Sequence, residues 1–189
     1  MAKIWDAEVL GLTVSKEQAR FVNEQARMRK LPVKAMVIDA ETYDFRGIGK
    51  FDVLWLYESL EHIADRRSLF TNIQAAARDD ASLAITMHCR SPQISRDSLY
   101  NEFMGIQTLD SAQELIAILE DAAWEVLATR DCTDLTWPVW KFWAQNLEQI
   151  TEPEFCEQAE KLTIALAQTE QLYKKGLLQS TQIVAKIVS

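Results

Sequence analysis

The acid–base chemistry available to this sequence is concentrated in a few short stretches. Glu58, Glu61 and His62 fall within five residues, directly after the apolar run Phe51 to Tyr57 (FDVLWLY). His88 follows a second apolar run, Ser82 to Met87 (SLAITM), with Cys89 and Arg90 beside it. A carboxylate or imidazole held partly away from water can take a proton from a hydroxyl, an amine or an activated carbon. The same residues also have a plainer reading. A lone histidine is more often a satisfied core or surface group than a base, and Glu58 and Glu61, three apart, also suit a solvated helix start. Asp39-Ala40-Glu41 closes a third run (Lys34 to Asp39), where the aspartate could equally serve a turn. Thr13 and Ser15 end a fourth, Glu8 to Val14 (EVLGLTV).

All these groups fall just past a strand signal. In an open α/β sheet, ligands bind outside the carboxyl ends of the strands, so the clustering carries more weight than any one residue. Helix signals separate the strands. Ser15 to Gln18 has the form of a capping box, predicting a helix to about Lys30 with Ala19, Val22 and Ala26 inward, before Pro32. Leu69, Phe70, Ile73, Ala76 and Ala77 repeat at helical spacing, as do Leu115, Leu119 and Ala122 after a second capping box at Ser111 to Glu114. Glu125 to Cys132 reads as a fifth strand. Thr136 to Lys175 reads as two aromatic-rich helices broken near Pro153, and Ser180 to Val188 as a sixth strand. The uninterrupted apolarity of Phe51 to Tyr57 predicts a strand covered on both faces. Alternating strands and helices predict an α/β open sheet in a single domain over 1–189, with 133–178 a helical insertion or lid.

The composition sets outer limits. The chain has 189 residues, 48% apolar and 25% charged, enough for a real core and against disorder. A net charge of −8, with no run of Lys and Arg, argues against nucleic-acid binding. No stretch reaches the apolar length of a membrane span, and no signal-peptide pattern follows Met1, so a cytoplasmic location is the expectation. The three cysteines, Cys89, Cys132 and Cys156, contain no CxxC and read as reduced thiols, with no metal site.

Several segments then resemble the class I S-adenosylmethionine-dependent methyltransferases, in particular the tocopherol, sterol and cyclopropane-fatty-acid synthase group. Gly11 to Gln18 (GLTVSKEQ) is similar to that group's second-strand segment, Asp39-Ala40-Glu41 to the acidic turn after its third strand, and Phe51 to Ile63 (FDVLWLYESLEHI) to its fourth-strand motif. Asp131 to Trp143 (DCTDLTWPVWKFW) is similar to an aromatic stretch near the end of the tocopherol and sterol enzymes. The resemblance implies a Rossmann-like sheet, mostly parallel with an antiparallel last strand, and S-adenosylmethionine as cofactor. It implies that Asp39 accepts from the adenine amino group with Ala40 and Glu41 along the ring. Thr13, Ser15 and Gln18, with Glu58, would contact the cofactor's polar groups. Glu61, His62 and His88 are the catalytic candidates; in the cyclopropane branch a glutamate at the Glu61 position and a strand-end histidine stand at a carbonate base. Trp137, Trp140 and Trp143, with Phe142, would wall an apolar substrate, since four large aromatics in seven residues exceed what one helix face buries. Leu162, Leu166, Leu172 and Tyr173 would continue that wall as core.

The family's first strand and glycine-rich loop would lie before Ala7, where six residues stand. Arg78-Asp79-Asp80-Ala81 replaces its usual Pro-Gly-Gly turn. Three outcomes follow: a fragment of a longer product, a chain completed by a second polypeptide that supplies the missing part, or a sheet closed up by direct pairing of 8–14 with 51–57. The partner expected is a second copy in a homodimer or a complementing N-terminal chain. The expected activity is methyl transfer to a small apolar acceptor such as a prenyl-quinol or sterol-like molecule. The rival is a catalytically inactive interaction or ligand-carrier module, and a third reading is a carbonate-dependent enzyme acting on lipid acyl chains.

Overall fold

A computed structural model describes residues 1–95 and 109–188. The chain divides into two compact units, Met1–Asp44 and Phe45–Ser189.

The first unit is a short helix α1 (Ala2–Trp5) followed by a β-α-β element: β1 (Val9–Thr13), α2 (Lys16–Arg29) and β2 (Val33–Val37). The two strands are parallel, with Val9 opposite Val33 and Thr13 opposite Val37. The helix begins where Ser15 caps it, accepting from the Gln18 N–H at 3.2 Å, and ends at Lys30 in the left-handed conformation (φ 53°). Its residues Ala19 and Ala26 are buried. Asn23 projects from this helix onto β2, where its amide both donates to the Ala35 carbonyl (2.9 Å) and accepts from the Ala35 N–H (2.8 Å). A side chain thus satisfies backbone groups that another strand would otherwise pair.

The second unit holds β3 (Phe51–Tyr57), α3 (Arg66–Ile73), β4 (Ala77–Arg90), α4 (Ala112–Asp121), β5 (Trp124–Asp131), α5 (Thr133–Thr136), α6 (Pro138–Leu147), α7 (Pro153–Lys174) and β6 (Leu178–Ile187). Its strands form one sheet in the order β3-β4-β6-β5, with β3 parallel to β4 and β6 antiparallel to both neighbours. The antiparallel last strand is as expected. The Arg78–Ala81 segment forms no turn. It lies inside β4, where the β3–β4 register jumps from Phe51↔Ala77 to Val53↔Ser82.

The core of this unit lies on the inner strands. Leu83, Ile85, Met87 and Cys89 of β4 and Ile183 and Ala185 of β6 are buried, as are Leu69 and Phe70 of α3 and Leu115 and Leu119 of α4. Trp124 is fully buried, and its indole N–H donates to the Phe70 carbonyl at 2.9 Å, so the polar end of a large apolar residue is satisfied. Arg66 and Asp110 form a buried ion pair at 2.9 Å.

β3 departs from expectation. It is an edge strand, with Val53, Trp55 and Tyr57 at 46%, 49% and 58% exposure, so its apolar run is not covered on both faces. Continuous apolarity reports that a strand can be buried, whereas its place in the strand order decides whether it is. β1 and β3 belong to different sheets, so the closed-up arrangement is not the one adopted. Among the described residues no helix is long and apolar enough to cross a membrane.

The second capping box forms in full: the Ser111 hydroxyl accepts from the Glu114 N–H at 3.3 Å, and the Glu114 carboxylate accepts from the Ser111 N–H at 2.7 Å. Ser111→Ala should cost about 1 kcal/mol in a urea unfolding midpoint. An unchanged midpoint would show that α4 is held by packing alone.

Candidate functional site

In the first unit, the residues after β1 form a small hydrogen-bonded knot. The Thr13 hydroxyl donates to the Gln18 side-chain carbonyl at 2.6 Å and accepts from the Ser15 N–H at 3.1 Å. Thr13 therefore takes the backbone donor that a full capping box would assign to Gln18, and only the Ser15 half of that motif survives. The parallel register brings Asp39 to the same edge. The Ile38 N–H donates to the Thr13 carbonyl at 2.9 Å, and Asp39 is the next residue. Its carboxylate Oδ1 accepts from the Glu41 N–H at 3.0 Å, and its carbonyl accepts from Tyr43 at 3.1 Å, so Asp39 closes its own turn. Thr13, Ser15, Gln18, Asp39, Ala40 and Glu41 thus meet at the carboxyl end of one two-stranded sheet. Asp39 is exposed, and Ala40 and Glu41 are half-buried.

In the second unit, β3 ends at Glu58, which is left-handed (φ 44°) although it is not glycine. Its N–H donates to the Thr86 carbonyl of β4 at 2.7 Å, which fixes the backbone there. A one-turn 3-10 segment, Leu60–His62, follows and turns Glu61 inward. Glu61 is 2% exposed, and its Oε1 accepts from the His88 backbone N–H at 2.8 Å. Its Oε2 is buried without a hydrogen-bond partner among the described residues. The His88 ring is buried as well. Its Nδ1 is hydrogen-bonded to the Tyr173 hydroxyl of α7, and its Nε2 stands 3.8 Å from Glu58 Oε1. Trp140 packs on the imidazole with ring centroids 5.3 Å apart and stacks on Tyr173 at 6.1 Å.

Electrostatics follow from this burial. Desolvation holds the Glu61 carboxyl above its ordinary range, against the His88 N–H that favours the anion. Desolvation, then the charge of Glu61, raises Glu58. Burial lowers the His88 pKa from 6.5 to about 4, so the ring is neutral at physiological pH. The Cys89 thiol beside it is pushed up to about 11 by burial and is an inert core group.

Glu58, Glu61 and His88 are thus drawn together. His62 is exposed on the outer side of the 3-10 turn. The aromatic block divides: Trp140 is 2% exposed and part of the core with Leu109, Leu166, Tyr173 and Leu178, Trp137 packs partly buried against it, and Trp143 and Phe142 are exposed at 43% and 60%. Trp140 therefore fills space beside His88, and only its neighbours present an outer apolar wall. Tyr173 was legible only as a member of a helical apolar row. Its hydroxyl's partner lies 85 residues away in sequence, and no local spacing signals that.

A methyltransferase-domain family profile matches residues 1–85. Phosphoethanolamine N-methyltransferase 1 of Triticum aestivum is 29% identical over 136 residues, 71% of this chain and 27% of that protein. The chloroplastic tocopherol O-methyltransferase of Arabidopsis thaliana is 33% identical over 91 residues, 47% of this chain and 26% of that protein. Geranyl diphosphate C-methyltransferase from Streptomyces coelicolor A3(2), solved with geranyl diphosphate and S-adenosyl-L-homocysteine, superposes with a TM-score of 0.78 at 21% identity, over 99% of this chain and 65% of that one. That likeness shows the fold. The fold is the Rossmann-like open sheet of the class I S-adenosylmethionine-dependent methyltransferases. The chain resembles the methyltransferase-domain family over residues 1–85 and spans about a quarter of the length of the two curated relatives.

The buried imidazole makes stability depend on pH. Between about pH 4 and 6.5 the unfolded chain binds a proton at His88 that the folded chain does not, so stability rises with pH across that window. The penalty is absent above about pH 6.5 and reaches roughly 3 kcal/mol near pH 4. Glu58 and Glu61, held high, act with the opposite sign as pH rises through and above the ordinary carboxylate range. Urea unfolding of His88→Gln should show a flatter limb from pH 6.5 to 4.5 than the parent protein. Parallel limbs would mean that the imidazole is not held neutral.

Proposed function

We propose that this chain carries out methyl transfer from S-adenosylmethionine to a small apolar acceptor that loses a proton from oxygen, nitrogen or carbon. The observation that carries the reading is the strand-end cluster of the second unit, where Glu58 lies against His88 while Glu61 is anchored to the backbone of β4. The family match over residues 1–85 and the fold support it.

The donor set of the first unit suits the nucleoside end of the cofactor. Asp39 offers an exposed carboxylate, of which Oδ1 already serves the turn, and a carboxylate accepts from an exocyclic amino group through either oxygen. Ala40 adds a flat apolar contact beside it, and the Thr13–Ser15–Gln18 knot presents hydroxyl and amide groups at the start of α2, where the helix N-terminus favours anionic or polar groups. When bound, the cofactor supplies an electrophilic methyl group on a sulfonium. In-line displacement asks little covalent chemistry of the protein, which aligns the acceptor and removes its proton. Burial raises the basicity of the Glu58 and Glu61 carboxylates above that of ordinary carboxylates, and His88 stays neutral behind them. Trp143 and Phe142 offer exposed apolar area for an acceptor such as a prenyl chain.

A second reading is favoured by one atom. Glu61 Oε2, buried and unpartnered among the described residues, is a place where a small oxyanion such as bicarbonate would complete the hydrogen bonding beside His88. That suits carbonate-assisted chemistry on an acyl chain.

Isothermal titration with S-adenosylmethionine should give a saturable signal, and Asp39→Ala should weaken it by about tenfold, the loss of one charge-assisted hydrogen bond partly exposed to water. No heat from the parent chain would leave the inactive-module reading standing. Transfer that rises with added bicarbonate and fails in Glu61→Gln would favour the second reading.

A further inference from the structure

Glu58 adopts a backbone conformation that a side chain makes costly. At φ 44° an L-residue is strained by about 1 kcal/mol, and glycine would relax the position. The strand end is nonetheless held there by the Glu58 N–H bond to Thr86, and the carboxylate is thereby delivered to the Nε2 side of His88. The other ring nitrogen is engaged by Tyr173, whose phenol is 4% exposed and whose ring is fixed between the imidazole, at 5.9 Å, and Trp140. The imidazole is therefore held at Nδ1 by Tyr173 and packed by the tilted Trp140 ring, while the backbone N–H of His88 is held by Glu61. Of the three polar side chains in line, Glu58 alone is only half-buried, its side chain 23% exposed against 5% for His88.

The tautomer follows from the partners. A neutral imidazole carries one N–H and one acceptor nitrogen. An ionised carboxylate can only accept, whereas a phenol can donate. Glu58 Oε1 stands 3.8 Å from Nε2, an electrostatic contact and not a hydrogen bond, and the tautomer that suits both neighbours carries the proton on Nε2 and lets Nδ1 accept from the Tyr173 hydroxyl. This is the logic by which a buried hydrogen bond at one ring nitrogen orients the other.

We propose that Tyr173 is a positioning residue: its hydroxyl locks the His88 imidazole with Nε2–H toward Glu58, and this buried phenol–imidazole support sets Glu58 as the carboxylate that takes the acceptor's proton. For the task of Glu58, the inference rests on the methyl-transfer reading; for the support itself, it does not. It moves Glu58 from the cofactor-contacting set, where the sequence placed it, to the acid–base group, and His88 from base to support. In the step concerned, Glu58 receives the proton from the acceptor's O–H, N–H or C–H. The electron pair released on the acceptor forms the bond to the methyl carbon, and the pair of the breaking C–S bond stays on sulfur.

The full chain contains two histidines, which makes the test direct. Nitrogen-15 NMR of the imidazoles, with His62→Gln assigning the pair, should show His88 neutral and protonated on Nε2 at pH 7. Tyr173→Phe keeps the ring that stacks on Trp140 and removes only the hydroxyl. It should erode the tautomer preference and shift the Glu58 titration, followed by carboxyl carbon-13 NMR, upward. Glu61, Tyr57 and His88 face that carboxylate, and the first should titrate as in the parent chain. Glu58→Gln tests the same coupling from the exposed end without touching the buried phenol, and should also loosen the tautomer. A ring protonated on Nδ1, or a His88 spectrum unmoved by both substitutions, overturns the support. If the support holds but the parent chain gives no calorimetric signal with S-adenosylmethionine, the proton-accepting task of Glu58 falls instead.

Discussion

A carboxylate taken out of water organises the second unit. Glu61 is buried beside β4, and the His88 backbone N–H is the hydrogen bond that makes this tolerable. An isolated buried carboxylate is costly enough that the protein must either satisfy it or keep it protonated. Here one oxygen is satisfied, and desolvation holds the carboxyl above its ordinary range. Everything near it is shaped by that choice. The 3-10 turn after β3 brings Glu61 inward, β4 runs on to Arg90 and carries His88 past the end of β3, and α7 and α6 bring Tyr173 and Trp140 against the imidazole.

The same economy appears in the first unit on a smaller scale. Strand ends expose backbone donors, and short polar side chains answer them: Thr13 takes the Ser15 N–H, Ser15 the Gln18 N–H, and Asp39 the Glu41 N–H. Each bond is modest, about 1 kcal/mol net. Together they fix the polar rim on rigid backbone, so that a ligand meeting it would not have to order it. Asn23 does the corresponding work along the side of β2.

Much of this was legible beforehand because its causes are local. Apolar runs, capping residues and helical spacing located the strands and the longer helices, since periodicity and end-capping act over single elements, but missed the short helices Ala2–Trp5 and Thr133–Thr136 and the full length of β4. The strand-end position of Thr13, Asp39 and Glu61 followed from the order of elements alone, whereas His88, expected just past a strand, lies inside β4, which runs on to Arg90. What misled was inference from apolar content to burial. Phe51–Tyr57 looked like an interior strand and is an edge, while the four aromatics of Trp137–Trp143 looked too many to bury, yet Trp140 is wholly in the core. Exposure depends on neighbours from distant sequence, which composition does not record.

The sequence by itself determined the α/β class of fold and the set of residues that could do chemistry, because these depend on residue type and near spacing; the antiparallel final strand came from the family resemblance. Only the tertiary structure decided that the strands divide between two sheets, that Glu61 is anchored to the backbone of His88, and that a tyrosine 85 residues further on engages that imidazole. Those are pairings across the chain, fixed by packing and by the cost of burying polar atoms alone.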